Sequence, residues 1–150
     1  MPLILIVDDS PTEVHVMQKA LEKHGYRTAA AADGAEGVRL AREMSPDLIF
    51  MDIVMPGMNG YQATRALAND PRTRTIPIIM VTSKGQETDR IWGLRQGAVD
   101  YMVKPVSPDQ LVAKAEAYIA NLTKEANRLA QHAGRKTIKE EDVDLAAKSA

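Results

Sequence analysis

The chain is 150 residues long, the size of one globular domain with room for a small appendage, and long enough to bury a core unaided. It has no cysteine, which excludes a disulfide framework, a thiolate zinc site and a cysteine nucleophile. Nineteen Lys and Arg against twenty Asp and Glu leave a net charge of -1, so no overall basic field gathers nucleic acid.

Leu3–Val7 is an almost uninterrupted apolar run, the pattern of a strand covered on both faces. It is too short for a signal peptide or a membrane span, and two aspartates follow it directly, so a soluble cytoplasmic protein is expected. Ser10-Pro11-Thr12-Glu13 reads as a helix start, with Ser10 as N-cap, Pro11 at the first helical position and Glu13 closing a capping box. Val14, Met17 and Leu21 form the apolar stripe of that helix, and Gly25 ends it. Residues 27–31 predict a weak second strand and 35–44 a helix that Pro46 terminates. Residues 47–51 predict a third strand, and the turn-rich loop 55–60 leads into a helix through Leu67. A fourth strand is predicted at 76–81, broken only by Pro77, a helix at 87–96 ended by Gly97, and a short strand at 101–103. Five strands alternating with helices predict an α/β fold: a five-stranded parallel sheet with helices on both faces.

Ser107-Pro108-Asp109-Gln110 is a further cap signature. After it Leu111, Ala115, Tyr118, Leu122, Ala126, Leu129 and Ala133 stand three or four apart, with no Gly or Pro until Gly134. This predicts one helix of about 25 residues, roughly twice the average length. The methionines read as core filler, and Trp92 as a packing residue or a partner contact. His15, His24 and His132 have no ligand spacing and read as solvated.

In open α/β sheets ligands bind beyond the carboxyl ends of the strands. The predicted strands end at Asp8-Asp9, Asp52, Thr82-Ser83 and Lys104-Pro105, so a parallel sheet brings three carboxylates, a hydroxyl and an ammonium to one edge. Taken singly, Asp9 could assist a helix cap and Asp52 could be a loop aspartate. Taken together, crowded carboxylates call for a cation, and oxygen donors without His or Cys point to Mg²⁺. Mg²⁺ beside a lysine and a hydroxyl is suited to handling a phosphoryl group.

Val-Asp-Asp-Ser at 7–10, Met-Asp-Ile-Val-Met-Pro-Gly-Met-Asn-Gly at 51–60, Val-Thr-Ser at 81–83 and Gly-Ala-Val-Asp-Tyr-Met-Val-Lys-Pro at 97–105 resemble the receiver domain of two-component response regulators, chiefly stand-alone receivers of the chemotaxis and twitching-pilus type. The resemblance covers residues 1–120 and implies strand order 2-1-3-4-5. It implies a phosphoacceptor, not an enzyme, that takes a phosphoryl group on Asp52 from a histidine kinase or a small phosphodonor. Asp9 and Asp52 would bind Mg²⁺ directly, Asp8 largely through water, and Val54 through its carbonyl. Lys104 would neutralise the phosphoryl charge, Thr82 would follow a phosphoryl oxygen inward, and Tyr101 would change rotamer and alter the face of the fourth helix, fifth strand and fifth helix. Val54 and Lys84 stand where the family tunes hydrolysis of the acyl phosphate. A valine there cannot orient water, which implies slow self-dephosphorylation.

The pattern of residues 121–150 predicts the end of the long helix, a stop at Gly134, an extended stretch over 135–138 and a second amphipathic helix with Thr137 and Glu140 as a possible capping box. This helix–strand–helix tail resembles the C-terminal half of an archaeal-type histone fold. That resemblance places Arg135, Lys136 and Thr137 where histones contact DNA phosphates and pairs Arg135 with Asp142. The histone's first helix, first loop and the start of its central helix are replaced by receiver sequence. The tail carries Lys or Arg at 124, 128, 135, 136, 139 and 148 against Asp or Glu at 125, 140, 141, 142 and 144, a balance of only +1. A homodimer through residues 121–150 is therefore expected ahead of phosphorylation-controlled DNA binding or a tail folded onto its own receiver. Two resemblances meeting inside one helix read as an engineered chimera, such as one built to study assembly of the histone half, with a natural fusion as the alternative.

Overall fold

The computed structural model of the protein describes residues 1–83 and 87–119. Five strands, β1 (Leu3–Val7), β2 (Arg27–Ala31), β3 (Leu48–Met51), β4 (Ile78–Thr82) and β5 (Asp100–Val103), alternate with helices α1 (Pro11–Lys23), α2 (Gly34–Met44), α3 (Gly60–Ala68) and α4 (Glu87–Gln96). A fifth helix, α5, runs from 108 to 119, where the described residues end. Every strand pairing is parallel, and the sheet order is β2-β1-β3-β4-β5.

All residues of β1, β3 and β4 are buried, as their unbroken apolar runs require. Successive side chains point to opposite faces. Leu5, Val7, Ile49, Met51 and Met80 therefore pack with Val38 and Ala41 of α2 and Ala63 and Leu67 of α3. Ile4, Ile6, Phe50, Ile79 and Val81 pack with Met17 and Leu21 of α1 and Leu111, Val112 and Ala115 of α5. The polar helix α4 buries only Gly93, which lies against the Met80 side chain. The strand order reverses between β1 and β3, and that switch opens a crevice at the carboxyl edge of the sheet.

Several boundaries differ from the sequence expectation for local reasons. The strand expected over 76–81 begins at Ile78: Pro77 accepts a hydrogen bond from the Ile49 N–H at 3.0 Å but has no N–H to return. Helix α2 starts one residue early because Asp33 caps it, accepting from the Glu36 N–H at 2.8 Å. The capping box expected at Ser10 is only half formed. Ser10 Oγ accepts from the Glu13 N–H at 3.4 Å, but the Ser10 N–H goes to Asp8 Oδ1 at 2.9 Å, leaving the Glu13 carboxylate without its capping role. A full box occurs instead at α3, between Asn59 and Gln62. Gly97 follows α4 with φ +120, a left-handed turn that glycine adopts without a Cβ penalty.

Met17, Met51, Met55, Met80 and Met102 are buried, whereas Met1 and Met44 are exposed. Trp92 is 51% exposed, with its ring edge-to-face on Tyr61 at 6.5 Å between centroids. His15 and His24 are exposed. The expectations for Lys84, His132, Arg135, Lys136, Thr137, the Arg135–Asp142 pair, the second half of the long helix and the whole of 121–150 lie outside the described residues.

Candidate functional site

Parallel pairing delivers Asp8 and Asp9 after β1, Asp52 after β3, Thr82 at the end of β4 and Lys104 after β5 to one edge of the sheet. Asp8, Asp9, Asp52 and Lys104 line an open cleft of about 550 Å³ together with Ser10, Glu13, Val54 and Ser83. One carboxylate oxygen from each of Asp8, Asp9 and Asp52 lies within 4.8 Å of the others. Asp8 and Asp52 are buried and Asp9 is exposed, so the donor set faces the cleft from one side and leaves the other open to solvent or substrate.

Each side chain is held by local backbone geometry. The Asp52 N–H donates to the Val7 carbonyl at 2.9 Å, which ties the β3 terminus to β1. Asp52 Oδ1 accepts from the Ile53 N–H at 2.9 Å, leaving Oδ2 facing Lys104. Behind it the β3–α3 loop doubles back so closely that a Cβ at Gly60 would stand 1.9 Å from the Asp52 carbonyl oxygen. The Gly60 N–H donates to the Ile53 carbonyl at 2.9 Å and closes the loop. The Lys104 N–H donates to the Thr82 carbonyl at 2.8 Å, so lysine and threonine are fixed as neighbours.

Lys104 reaches into the carboxylates. Its Nζ donates to Asp8 Oδ2 at 2.8 Å and to Glu13, and stands 3.6 Å from Asp52 Oδ2. Burial works to lower its proton affinity, but the bonds to Asp8 and Glu13 outweigh that and hold the ammonium above its ordinary range. Asp52 is raised as well, which for a carboxylate disfavours the charged form. Burial, reinforced by the Asp8 charge, pushes it up to about 6 against the pull of Lys104 and the Ile53 N–H. Three carboxylate oxygens this close together, beside the Lys104 ammonium, are a donor set that could hold a divalent cation.

The sequence-derived residues Asp8, Asp9, Asp52, Val54 and Lys104 are thus brought to one cleft. Thr82 is fully buried beside it, and Val54 is 56% exposed at its rim. Tyr101 lies back toward the start of β5, where its ring, like that of Tyr61, packs beside Gly93. Its hydroxyl is buried and meets no hydrogen-bond partner among the described residues. Sequence reasoning missed Glu13. Its only signal was its place in a capping box, which pointed to a local role rather than to Lys104, 91 residues away.

A family model described as response regulator receiver domain matches residues 4–116, and one for the core histone domain matches residues 90–149. The histone likeness therefore starts earlier than residue 121 and takes in most of α4, β5 and α5. Protein PilH of Pseudomonas aeruginosa is 54% identical over 120 residues, covering 80% of this chain and 99% of PilH. The DNA-binding regulator RpaA of Synechocystis is 39% identical over 119 residues, 79% of this chain, but the chain spans only 49% of RpaA. The crystal structure of the receiver domain of sensor histidine kinase PA1611 from Pseudomonas aeruginosa, with a magnesium ion coordinated in its active-site cleft, superposes with a TM-score of 0.74 at 34% identity, covering 79% of this chain and 98% of that one. Among the described residues no helix is long and apolar enough to cross a membrane. Motif order, sheet order and these likenesses over residues 4–116 agree: the chain belongs to the response regulator receiver domain family, whose members act as phosphoacceptors and not as catalytic enzymes.

Proposed function

We propose that this protein takes a phosphoryl group on Asp52 with Mg²⁺, from a histidine kinase or a small phosphodonor, and that residues 121–150 hold two copies together. The observation that carries the first part is the meeting of Asp8, Asp9 and Asp52 within 4.8 Å, with Lys104 3.6 Å from Asp52 Oδ2, the oxygen opposite the one bonded by the Ile53 N–H. Asp8, Asp9 and Asp52, with the Val54 carbonyl, would hold Mg²⁺, which supplies positive charge against the carboxylates and the phosphoryl oxygens. The related PA1611 receiver with magnesium in its cleft supports that assignment.

Asp52 Oδ2 is the nucleophile. Its attack forms an oxygen–phosphorus bond while the bond from phosphorus to the donor breaks, and the leaving group departs with the electron pair. Lys104 turns from the carboxylates to the phosphoryl oxygens, and Thr82, at the end of β4 beside it, offers its hydroxyl to one of them. Tyr101 is suited to a rotamer switch because no described residue anchors its buried hydroxyl, and a buried hydroxyl without a partner costs about 1–3 kcal/mol. Incubation with acetyl phosphate and Mg²⁺ should add one phosphoryl group, mapped by mass spectrometry to Asp52 and outlasting seconds after donor removal. No uptake, or uptake elsewhere, would overturn the assignment.

The tail reading rests on the histone-family match over 90–149, on the stripe Leu122, Ala126, Leu129 and Ala133, and on the tail's near-neutral balance. A stripe this long on a segment too small for its own core calls for a partner surface. Light scattering should give a dimer for the full chain and a monomer once residues 121–150 are removed. Equal masses would sink the dimer. DNA retardation that falls with salt and is lost on alanine substitution of Arg135 and Lys136 would instead favour nucleic-acid binding.

A further inference from the structure

Among the described residues, Glu13 is the one carboxylate lining the cleft to which the phosphoacceptor reading gives no role. We propose that it is a positioning residue for Lys104, a latch that keeps the ammonium on the α1 side of the cleft until a phosphoryl group draws it across. The inference rests on the assignment of Asp52 and Lys104 made above.

Three features build the latch. First, Glu13 stands at the third position of α1, where a glutamate after an N-cap serine ordinarily returns its side chain to the serine N–H. That N–H is donated to Asp8 Oδ1 at 2.9 Å, so the Glu13 carboxylate has no local donor and turns to Lys104 instead. Second, an ammonium has three N–H donors. Asp8 and Glu13 each receive a hydrogen bond from Lys104, while Asp52 Oδ2 at 3.6 Å lies outside hydrogen-bond reach. The resting lysine therefore bonds the two neighbours of the nucleophile rather than the nucleophile itself. Third, the Lys104 side chain is only 15% exposed and the Glu13 side chain 44%. The contact is sheltered at its lysine end and anchored at its glutamate end by the first turn of α1, so it is not a floating surface pair.

The consequence is kinetic. When Asp52 attacks phosphorus and the donor's leaving group departs, the new phosphoryl oxygens draw the ammonium off the α1 side of the cleft, from its 3.6 Å stand-off toward Asp52. Moving it across requires breaking the charge-assisted bond to Glu13, which raises the barrier relative to a lysine already free. Glu13 also places a negative charge at the mouth of the cleft, which opposes the approach of an anionic donor. These two effects separate by substitution. Glu13→Asp keeps the charge but is one methylene shorter and loses reach. Glu13→Gln keeps the length and loses the charge.

Initial rates of Asp52 phosphorylation, measured over a range of acetyl phosphate concentration in Mg²⁺, should show the maximal rate raised about three- to tenfold in both variants, with the donor KM lowered only in Glu13→Gln. A second measurement reads the latch without phosphorylation. In EDTA, Glu13→Gln should lower the thermal midpoint by about 2–4 °C in the parent, and by less than about 1 °C when Lys104→Met is also present. Unchanged maximal rates, a gain confined to Glu13→Gln, or equal thermal losses in both backgrounds would overturn the latch. A wild-type protein that takes no label would overturn the phosphoacceptor reading and the latch's part in transfer together. That failure is distinct from a labelled wild type whose Glu13 variants keep its rate.

Discussion

In metal-free buffer at pH 8, Asp52→Asn should be more stable to denaturant than the parent protein by about 1–3 kcal/mol, although it removes the residue on which the proposed function depends. Burial and the Asp8 charge raise Asp52 to about 6, and its side chain is only 8% exposed, so solvent screens little of the penalty. The folded state binds the Asp52 proton more tightly than the unfolded chain, whose aspartate titrates near 3.8. Below about pH 4 both states are protonated and the site is not penalised. As pH rises through about 6 the folded protein must ionise this buried group, and that stability is lost. Above that window the contribution is flat. Lys104 is raised as well, but its own loss of stability falls in strongly alkaline solution and does not enter the window. Other carboxylates tilt the curve in both proteins, so the reading is the difference between parent and variant: near zero at pH 4, growing to its full value by pH 7. Mg²⁺ should narrow the gap, because a cation at Asp8, Asp9 and Asp52 stabilises the parent through a donor the asparagine supplies less well. Urea melts in EDTA and in Mg²⁺ at pH 4, 6 and 8 measure all of this. An asparagine variant no more stable than the parent at pH 8 in EDTA would refute the electrostatic account of the cluster.

The residues of that cluster were legible in the sequence because two simple rules converge on them. Unbroken apolar runs such as Leu3–Val7 mark strands buried on both faces, and an alternating strand–helix order makes the sheet parallel, so polar residues at successive strand ends share one edge. Asp8, Asp9, Asp52, Thr82 and Lys104 follow from this placement alone. Features that depend on approach between distant backbone segments were not legible. Glu13 satisfies a local helix-start pattern equally well whether its carboxylate bonds the cap or reaches Lys104. Only the competing bond from the Ser10 N–H to Asp8 decides between them. The start of β4 was obscured because Ile76 and Pro77 continue its apolar run, whereas a strand boundary is set by which N–H groups exist to pair. The seat of α4 was hidden as well. It meets the sheet through Gly93, a residue that contributes nothing to an apolar stripe.

Gly60 belongs with these hidden features, and its replacement by alanine should be among the most damaging single changes in the protein. In the sequence it closes a turn-rich loop and serves as the first residue of α3. In the fold it lies against the backbone of Asp52: an added Cβ would stand 1.9 Å from the Asp52 carbonyl oxygen and 2.8 Å from the Ile53 Cα. Neither neighbour is the flexible end of a side chain. The Asp52 N–H is bonded to the Val7 carbonyl and its Oδ1 to the Ile53 N–H, so relief requires moving the β3 terminus or withdrawing the whole start of α3. Overpacking of this kind costs about 2–3 kcal/mol. Ala63, Thr64 and Leu67 of α3 are buried, which resists the second route and directs the displacement into Asp52. Gly60→Ala should therefore lose stability by about that amount and also lose phosphoryl uptake from acetyl phosphate by more than tenfold while still folded, because a shift of about 1 Å at the nucleophile is enough to cost two orders of magnitude. Gly57, whose φ of +70 has nothing within 4 Å of an added Cβ, is the control. Alanine there strains one turn and leaves Asp52 in place, so uptake should stay within about threefold of the parent even if stability falls by about 1 kcal/mol. Equal rates in the two alanine variants would show that the close approach of Gly60 does not set the position of the nucleophile.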